Sequence, residues 1–349
     1  MRSTLISQNL PSSISPISIR SVQDNLSKAQ TEISTGRWND VGYKLGAQTG
    51  LVLDVRAQIA LIETFENTNS LVAGRADATQ NVISSLTDEA QLMFDRSVAS
   101  RSSQVSPEVV QSTARNGLRT IISSINTATQ GVHIFGGINS DTAPLEDYFG
   151  SPSSASKNSV DAAFLAEFGF PQSDPAVASI SSAAMENFID NAFGDLFETP
   201  AWTANWSSAT DETMKTKISF SDITQTTQTA NESAIRKLAM AYTMVADLGL
   251  SDLNAGTYGA VMNKVVDITS QAIGELNVLS GKIGVTQQRI EIASDKLIVQ
   301  KDSFERLVGS KENVDAYEVA TRVSVLTNQL EASYTLTARL QQLSLVRFL

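Results

Sequence analysis

From Tyr258 onward the apolar residues return in alternating steps of three and four: Tyr258, Met262, Val265, Thr269, Ala272, Leu276, Leu279, Ile283, Thr286, Ile290, Ala293 and Leu297. Phe304 and Val308 carry the series further. Such steps average 3.5 residues, the period that keeps one helix face on a partner along its length. At 1.5 Å per residue a helix of this kind runs roughly 75 Å, which predicts a rod rather than a globule. The last of the prolines is Pro200, so no proline breaks the pattern.

After Gly309, residues Ser310 to Asn313 interrupt the series, and a second one follows. It holds Val319, Val323, Leu326, Leu330 and Tyr334, with Leu340, Leu343, Leu345 and Phe348 at the end. The N-terminal flank mirrors it with Ile19, Val22, Leu26, Ala29 and Ile33, closed by Gly36 as a C-cap. Helical termini fray and expose an apolar stripe unless something covers it, so these residues are the candidate assembly and partner-binding set. Gly36, Gly42, Gly46 and Gly50 separate the first helix from a run that starts at Leu51, Val55, Ile59 and Ile62 and continues through Val82, Leu86, Ala90 and Met93.

Ser106 and Pro107 mark the start of a helix through Val110, Ala114, Leu118, Ile121, Ile125 and Ala128, ended by Gly131. Val132 and Ile134, alternating around His133 before Gly136 and Gly137, predict a short strand that enters a turn. Ala230 to Leu248 is another helix, with Ile235, Leu238, Tyr242 and Val245 on one face and Gly249 at its end. The middle differs in kind. Residues 141–232 hold 14 acidic side chains against Lys157, Lys215 and Lys217, which accounts for the whole net charge of -11. Eight of the 13 phenylalanines also lie there, with Trp202 and Trp206. The expected fold class is mainly α: a long antiparallel helical bundle or coiled-coil rod made by the N- and C-terminal flanks, with an inserted central α+β domain. The expected division is 1–40 plus 310–349 as a terminal coiled-coil domain, 41–145 plus 230–309 as a helical rod with a short β-turn, and 146–229 as the insert.

The same composition excludes most chemistry. Cysteine is absent and His133 is the one histidine, which removes disulfides, thiolate nucleophiles, Cys/His zinc sites and histidine triads. His133 reads as structural. Asp40, Asp54, Glu63, Glu66 and the Glu146–Asp147 pair read as solvated faces, because no spacing of a calcium loop recurs. Gly131, Gly136 and Gly137 lack a following Gly-Lys-Ser/Thr and read as a turn rather than a nucleotide loop. No catalytic residue, metal or cofactor is expected, and the chain is read as not an enzyme. Met1 to Arg20 contains no apolar core of signal-peptide or membrane-span length. Without a basic cluster the chain offers a nucleic acid little to hold. Neither nucleic-acid binding nor membrane insertion is expected.

Two terminal motifs carry a resemblance. Ile33-Ser34-Thr35-Gly36-Arg37 after a heptad helix, together with Leu330-Glu331-Ala332-Ser333-Tyr334 and Leu343-Ser344-Leu345 running to Phe348-Leu349, is similar to the two ends of the bacterial flagellin family. Ile134-Phe135-Gly136-Gly137 followed by Thr142-Ala143-Pro144-Leu145 resembles the turn of the family's hook-associated members at the hook-filament junction. Trp38-Asn39-Asp40-Val41-Gly42 departs from the Asp-Asp-Pro stretch of many relatives. The resemblance implies an extracellular structural subunit of the flagellum, exported unfolded by the flagellar type III apparatus. It further implies a cytosolic export chaperone on the C-terminal helix, a ring of identical subunits, and contacts with the first hook-associated protein and with flagellin. The other readings are a filament flagellin and a cytosolic coiled-coil scaffold.

Overall fold

The computed structural model describes residues 10–101 and 106–346, of which 10–16 and 340–346 are described in backbone only. Among the described residues the α-helices and β-strands follow in the order α1 (Leu10–Thr35), α2 (Val41–Leu45), α3 (Thr49–Ser100), α4 (Pro107–Ile125), β1 (Ala128–Thr129), β2 (Val132–His133), α5 (Ala155–Phe168), α6 (Ser182–Phe188), α7 (Ala201–Asn205), β3 (Lys215–Lys217), β4 (Ile223–Gln225), α8 (Ser233–Asp247), α9 (Ala255–Glu312) and α10 (Ala316–Val346). The fold is mainly α, as expected, and the β structure among the described residues is two antiparallel hairpins, β1–β2 and β3–β4. The chain divides into two compact units, Met1–Glu63 with Ile298–Leu349, and Thr64–Leu297.

In the larger unit α3 and α9 run antiparallel. Asn69 Nδ2 donates to Ser294 Oγ at 3.1 Å, and Gln80 Nε2 donates to Ser280 Oγ at 2.6 Å. The heptad positions meet here as the spacing requires: Met262, Val265, Ala272, Leu276, Leu279, Ile283, Ile290 and Leu297 are all buried. Those from Met262 to Ile283 join Val82, Ile83, Leu86, Ala90 and Met93 of α3 in one cluster, and Ile290 lies with Val72. Each large aliphatic side chain so buried contributes on the order of 1.5–3 kcal/mol. That term holds a 58-residue helix which its own propensity could not.

α4 and α8 close the bundle, with Ala114, Leu118, Ile121 and Ile125 against Ile235, Leu238, Tyr242 and Val245, all buried. The Tyr242 hydroxyl donates to the Glu89 carbonyl of α3 at 2.8 Å, which fixes its ring across α4.

The central segment shares this core. Tyr148, Phe164, Phe188, Phe193, Phe197, Trp202 and Trp206 are buried in one cluster with α3, α4, α8 and α9. Their rings touch in series, with Trp202 stacked on Trp206 at 5.3 Å and Trp206 on Tyr148 at 5.1 Å. The Tyr148 hydroxyl donates to Asp247 at the end of α8 (2.7 Å), which Lys157 Nζ also reaches at 3.1 Å. The β3–β4 hairpin lies against α3 and α9 through buried Ile218 beside Val72, Ile290 and Ala293.

Several boundaries differ from the sequence expectation. α4 ends at Ile125, and Ala128 belongs to β1. Asn126 terminates the helix because its side chain is engaged twice with the Leu145 backbone. Gln130 and Gly131, at φ +55° and +78°, make the two-residue turn that a tight hairpin needs. Ser106 adopts the extended cap conformation, but its hydroxyl accepts no cap hydrogen bond. Gly50 and Gly309 lie inside helices rather than between them. In α3 the buried series opens at Val52, and Leu51 is half exposed.

Gly117 is the point of closest approach between α4 and α8, where an added Cβ would lie 2.1 Å from Cε1 of Tyr242. Gly→Ala in an open helix stabilises by about 1 kcal/mol. Here the ring is held at its hydroxyl, so Gly117→Ala is expected to destabilise the chain by about 1–3 kcal/mol. A urea midpoint that rises in this variant would contradict the packing described.

Candidate assembly interface

The smaller unit holds the sequence-predicted stripes. α1 and α10 pack antiparallel: Gln23 Nε2 donates to the Tyr334 hydroxyl at 2.6 Å, and Arg322 donates to Glu32 Oε2 at 2.9 Å. Between them Val22, Ala29 and Val319 are buried. Ile19, Leu26, Val323, Leu326 and Leu330 are half-buried, whereas Ile33 and Tyr334 are exposed at 44% and 49%. Leu340, Leu343, Leu345 and Phe348 lie outside the residues whose side chains are described. Ile17, Val325 and Leu336 add further exposed apolar surface to the same two helices. The pair therefore covers part of its apolar surface and presents the rest.

At the joint where α1 ends and α10 begins, the chain crosses itself. Gly36 takes φ +70° and its N–H returns to the Glu32 carbonyl at 2.9 Å, a helix stop that favours glycine. Its own carbonyl accepts from the Val314 N–H at 3.0 Å, and the Trp38 N–H donates to the Glu312 carbonyl at 3.0 Å. Arg37 and Asn313 thus form an antiparallel bridge.

Two buried carboxylates secure this crossing. Glu312, 2% exposed, accepts from Arg56 Nε at 2.9 Å and lies 3.3 Å from Arg37. The Arg56 hydrogen bond holds the Glu312 carboxyl below the usual carboxylate range, and the same bond raises the arginine. Glu32, 7% exposed, pairs with Arg322 and accepts the Asn39 N–H at 3.2 Å. Trp38 lies between two cations, Lys44 Nζ at 4.1 Å from its ring and the Arg322 guanidinium at 5.6 Å. The stripe pattern does not name these residues. The available signal was Glu32 itself, a charge between Ala29 and Ile33 on an apolar face, which demands an opposite charge nearby.

The other titratable groups weighed from sequence have local roles. Asp40 caps α2 by accepting the Tyr43 N–H at 2.9 Å, and Glu63 pairs with Lys301 at 3.4 Å. His133 places Nδ1 2.8 Å from the Asn126 carbonyl within the turn. A cleft of about 490 Å³ in the larger unit is lined by Lys157, Asp161, Gln172 and Asp247. Within it Lys157 bridges Asp161 and Asp247, Gln172 donates to Asp161 at 2.9 Å, and Arg115 Nε donates to the Ala246 carbonyl at 3.1 Å. Burial raises the Asp247 carboxyl, and Tyr148 and Lys157 offset part of that. Among the described residues no group of three or more His, Asp or Glu could hold a metal ion, and no helix is long and apolar enough to cross a membrane.

The model of the bacterial flagellin N-terminal helical region matches residues 6–140, and that of the C-terminal helical region matches residues 266–349. Together they span well over half of the chain. The chain belongs to the flagellin family. It is accordingly a structural protein of the flagellum, of flagellin or hook-associated type, and not an enzyme. No curated protein matches it. Among solved structures this flagellin-family chain is similar to a candidate flagellar hook-associated protein from Vibrio parahaemolyticus, at TM-score 0.53 and 9% identity. The match covers 76% of this chain and 97% of that one, and at such identity it establishes the shared fold.

The joint yields a pH-dependent expectation. A carboxyl whose folded pKa is lowered adds stability above its unfolded value, about 4.3, and loses it as the pH falls through the folded one. Arg37 and Arg56 are 48% and 41% exposed, so screening reduces the worth of the pair. Glu312→Gln is expected to cost about 1–3 kcal/mol at neutral pH and to flatten the acid limb of the stability profile. Thermal unfolding followed from pH 7 to pH 3 reads both. An acid limb as steep as the parent's would show that Glu312 is not the group responsible.

Proposed function

We propose that this flagellin-family subunit forms the junction between hook and filament as a ring of identical copies. In this reading it contacts the first hook-associated protein on one side and flagellin on the other. It is exported unfolded through the flagellar type III apparatus, with a chaperone on its C-terminal helix beforehand. Residues 1–40 with 310–349 act as the assembling part, 41–145 with 230–309 as the helical body, and 146–229 as the variable insert.

The observation that carries the junction reading is the turn Ile134–Gly137 with its continuation to Leu145. Ile134, Phe135 and Leu145 are buried, and the turn clasps the returning chain. Ala230 N–H donates to the Phe135 carbonyl at 2.8 Å, and Gly137 N–H to the Gln228 carbonyl at 2.9 Å. Thr210 N–H donates to the Gly136 carbonyl at 3.2 Å. Both glycines are sterically required: an added Cβ at Gly136 would meet the Asn139 carbonyl at 2.4 Å, and at Gly137 the Thr210 carbonyl at 2.4 Å. The motif that resembles the junction members is therefore the element through which the chain leaves for the central segment and returns. This supports the junction reading over that of a filament subunit.

Immunogold labelling of sheared flagella tests it. Gold confined to the hook-filament boundary is the expected result; gold along the whole filament would make the chain a filament flagellin, and signal retained in the cell would make it a scaffold.

The half-buried stripe of α10 supplies a second expectation. Truncating a buried leucine costs about 2–5 kcal/mol, and a half-buried one less. Leu326→Ala and Leu330→Ala are expected to shift the monomer's urea midpoint only slightly while reducing the recovery of assembled junctions. The opposite pattern, an unstable monomer with normal swimming, would count against assembly through this stripe.

A further inference from the structure

Between Asn69 and Gln80 of α3, and between Ser280 and Ser294 of α9, the helix pair is thinly packed. The main core ends at Ala76 and Ile283, and the next apolar layer is a separate small cluster holding Val72, Ile290 and Ala293. Among the described residues no side chain of α4 or α8 belongs to that cluster. The seam around it is polar. Asn69 pairs with Ser294 and Gln80 with Ser280, while Asn69 Oδ1 and Gln80 Oε1 are buried with no donor reaching them among the described residues. Buried amide oxygens of this kind weaken an interface. Gly74, Gly281 and Gly284 lie in the same stretch, and glycine lowers the stability of a helix interior.

The fourth member of the small cluster is Ile218, fully buried, from the tip of the β3–β4 hairpin. The base of this hairpin is fastened to the Ile134–Gly137 turn: the Gly137 N–H donates to the Gln228 carbonyl at 2.9 Å, and the Thr227 hydroxyl donates to the Gly137 carbonyl at 3.1 Å. Its tip grips both long helices. The Ile218 carbonyl accepts from Asn69 Nδ2 at 2.9 Å, Phe220 meets Phe65 edge-on at 5.3 Å, and Arg289 reaches Asp222 at 2.5 Å. The grip is small. It consists of one buried aliphatic side chain, a ring that is 39% exposed, one amide hydrogen bond and an ion pair between half-exposed groups. A two-stranded hairpin has little stability of its own in water, so this one is held by its seat.

We propose that the β3–β4 hairpin is a releasable strap that sets the stiffness of this section of the α3–α9 pair. Seated, Ile218 completes the small cluster, and Asn69 is fixed between the Ile218 carbonyl and Ser294. Lifted, the strap uncovers Val72, Ile290 and Phe65 and takes one acceptor from Asn69, so that the glycine-bearing turns of both helices open locally. α4 and α8 keep the main core closed meanwhile. Opening of so small a cluster requires far less than global unfolding. The inference concerns the single chain and is independent of the junction reading.

Amide hydrogen exchange of the full-length chain reads this section directly. Ile218→Ser is expected to speed exchange about tenfold over 66–80 and 281–294 and to leave 114–125 of α4 and 235–245 of α8 at the parent's rate. Unchanged rates in the first two stretches overturn the strap. An acceleration shared by α4 and α8 also overturns it, because the hairpin would then be ordinary core. The absence of native cysteine permits the opposite experiment. With Phe65→Cys and Phe220→Cys joined by a short bismaleimide the tip cannot lift, and the same two stretches are expected to exchange about tenfold more slowly than in the unlinked double variant. Should Ile218→Ser fail to fold, this comparison decides: a link that leaves the rates unaltered refutes the proposal, and so does failure of the two cysteines to link.

Discussion

A heptad stripe held in phase along a helix can be buried only by a partner that runs beside it. That constraint governs this chain. α9 cannot wrap its stripe in its own loops, so the sequence that precedes it must supply an antiparallel partner, and α3 does so. The consequence is a chain that departs along one helix and returns along another. Whatever lies between is tied to the points of departure and return. The clasp of Ile134–Gly137 on residues 207–230 is one such point. The crossing of Gly36–Trp38 with Glu312–Val314 is another.

The crossing shows how register is set where apolar packing is thin. α1 and α10 bury Val22, Ala29 and Val319 but leave most of their larger side chains half-covered, and a seam so lightly packed would tolerate sliding. Charge does not tolerate it. A buried carboxylate without its partner costs several kcal/mol, so Glu32 and Glu312 are satisfied in one alignment alone, with Arg322 for the first and Arg56 and Arg37 for the second. Trp38 adds an aromatic face against Lys44 and Arg322 and so ties α2 to α10.

What could be read from the sequence follows the same division. Periodicity reported the long helices and most of the buried positions of α9, because one face is covered continuously and the pattern has no other cause, but in α3 it left Phe65, Val72, Ala76 and Ile83 unnamed. It placed the start of α3 one residue out of phase, at Leu51 instead of Val52, where the cover is local and brief. It overran the end of α4, since Asn126 stops that helix through a tertiary engagement with Leu145 that no local pattern records. The aromatic composition of the middle foretold burial. It did not foretell that these rings would join the core of the helices, because composition reports that a ring is buried and not against what. The ion pairs of the joint were hidden for a related reason: Arg56 and Glu312 are 256 residues apart in the chain.

Large apolar side chains remain exposed on most of the helices. Single exposed leucines are ordinary on any protein. On α9 the exposed Val278, Val285, Ile292 and Val299 keep a seven-residue spacing while Ile298 and Leu307 fall outside it, and Ile33, Val325, Tyr334 and Leu336 belong to α1 and α10. A helix pair with only Val22, Ala29 and Val319 fully covered among the described residues gains little from burial of its own, which is why the buried ion pairs of Glu32 and Glu312 weigh so heavily in its alignment.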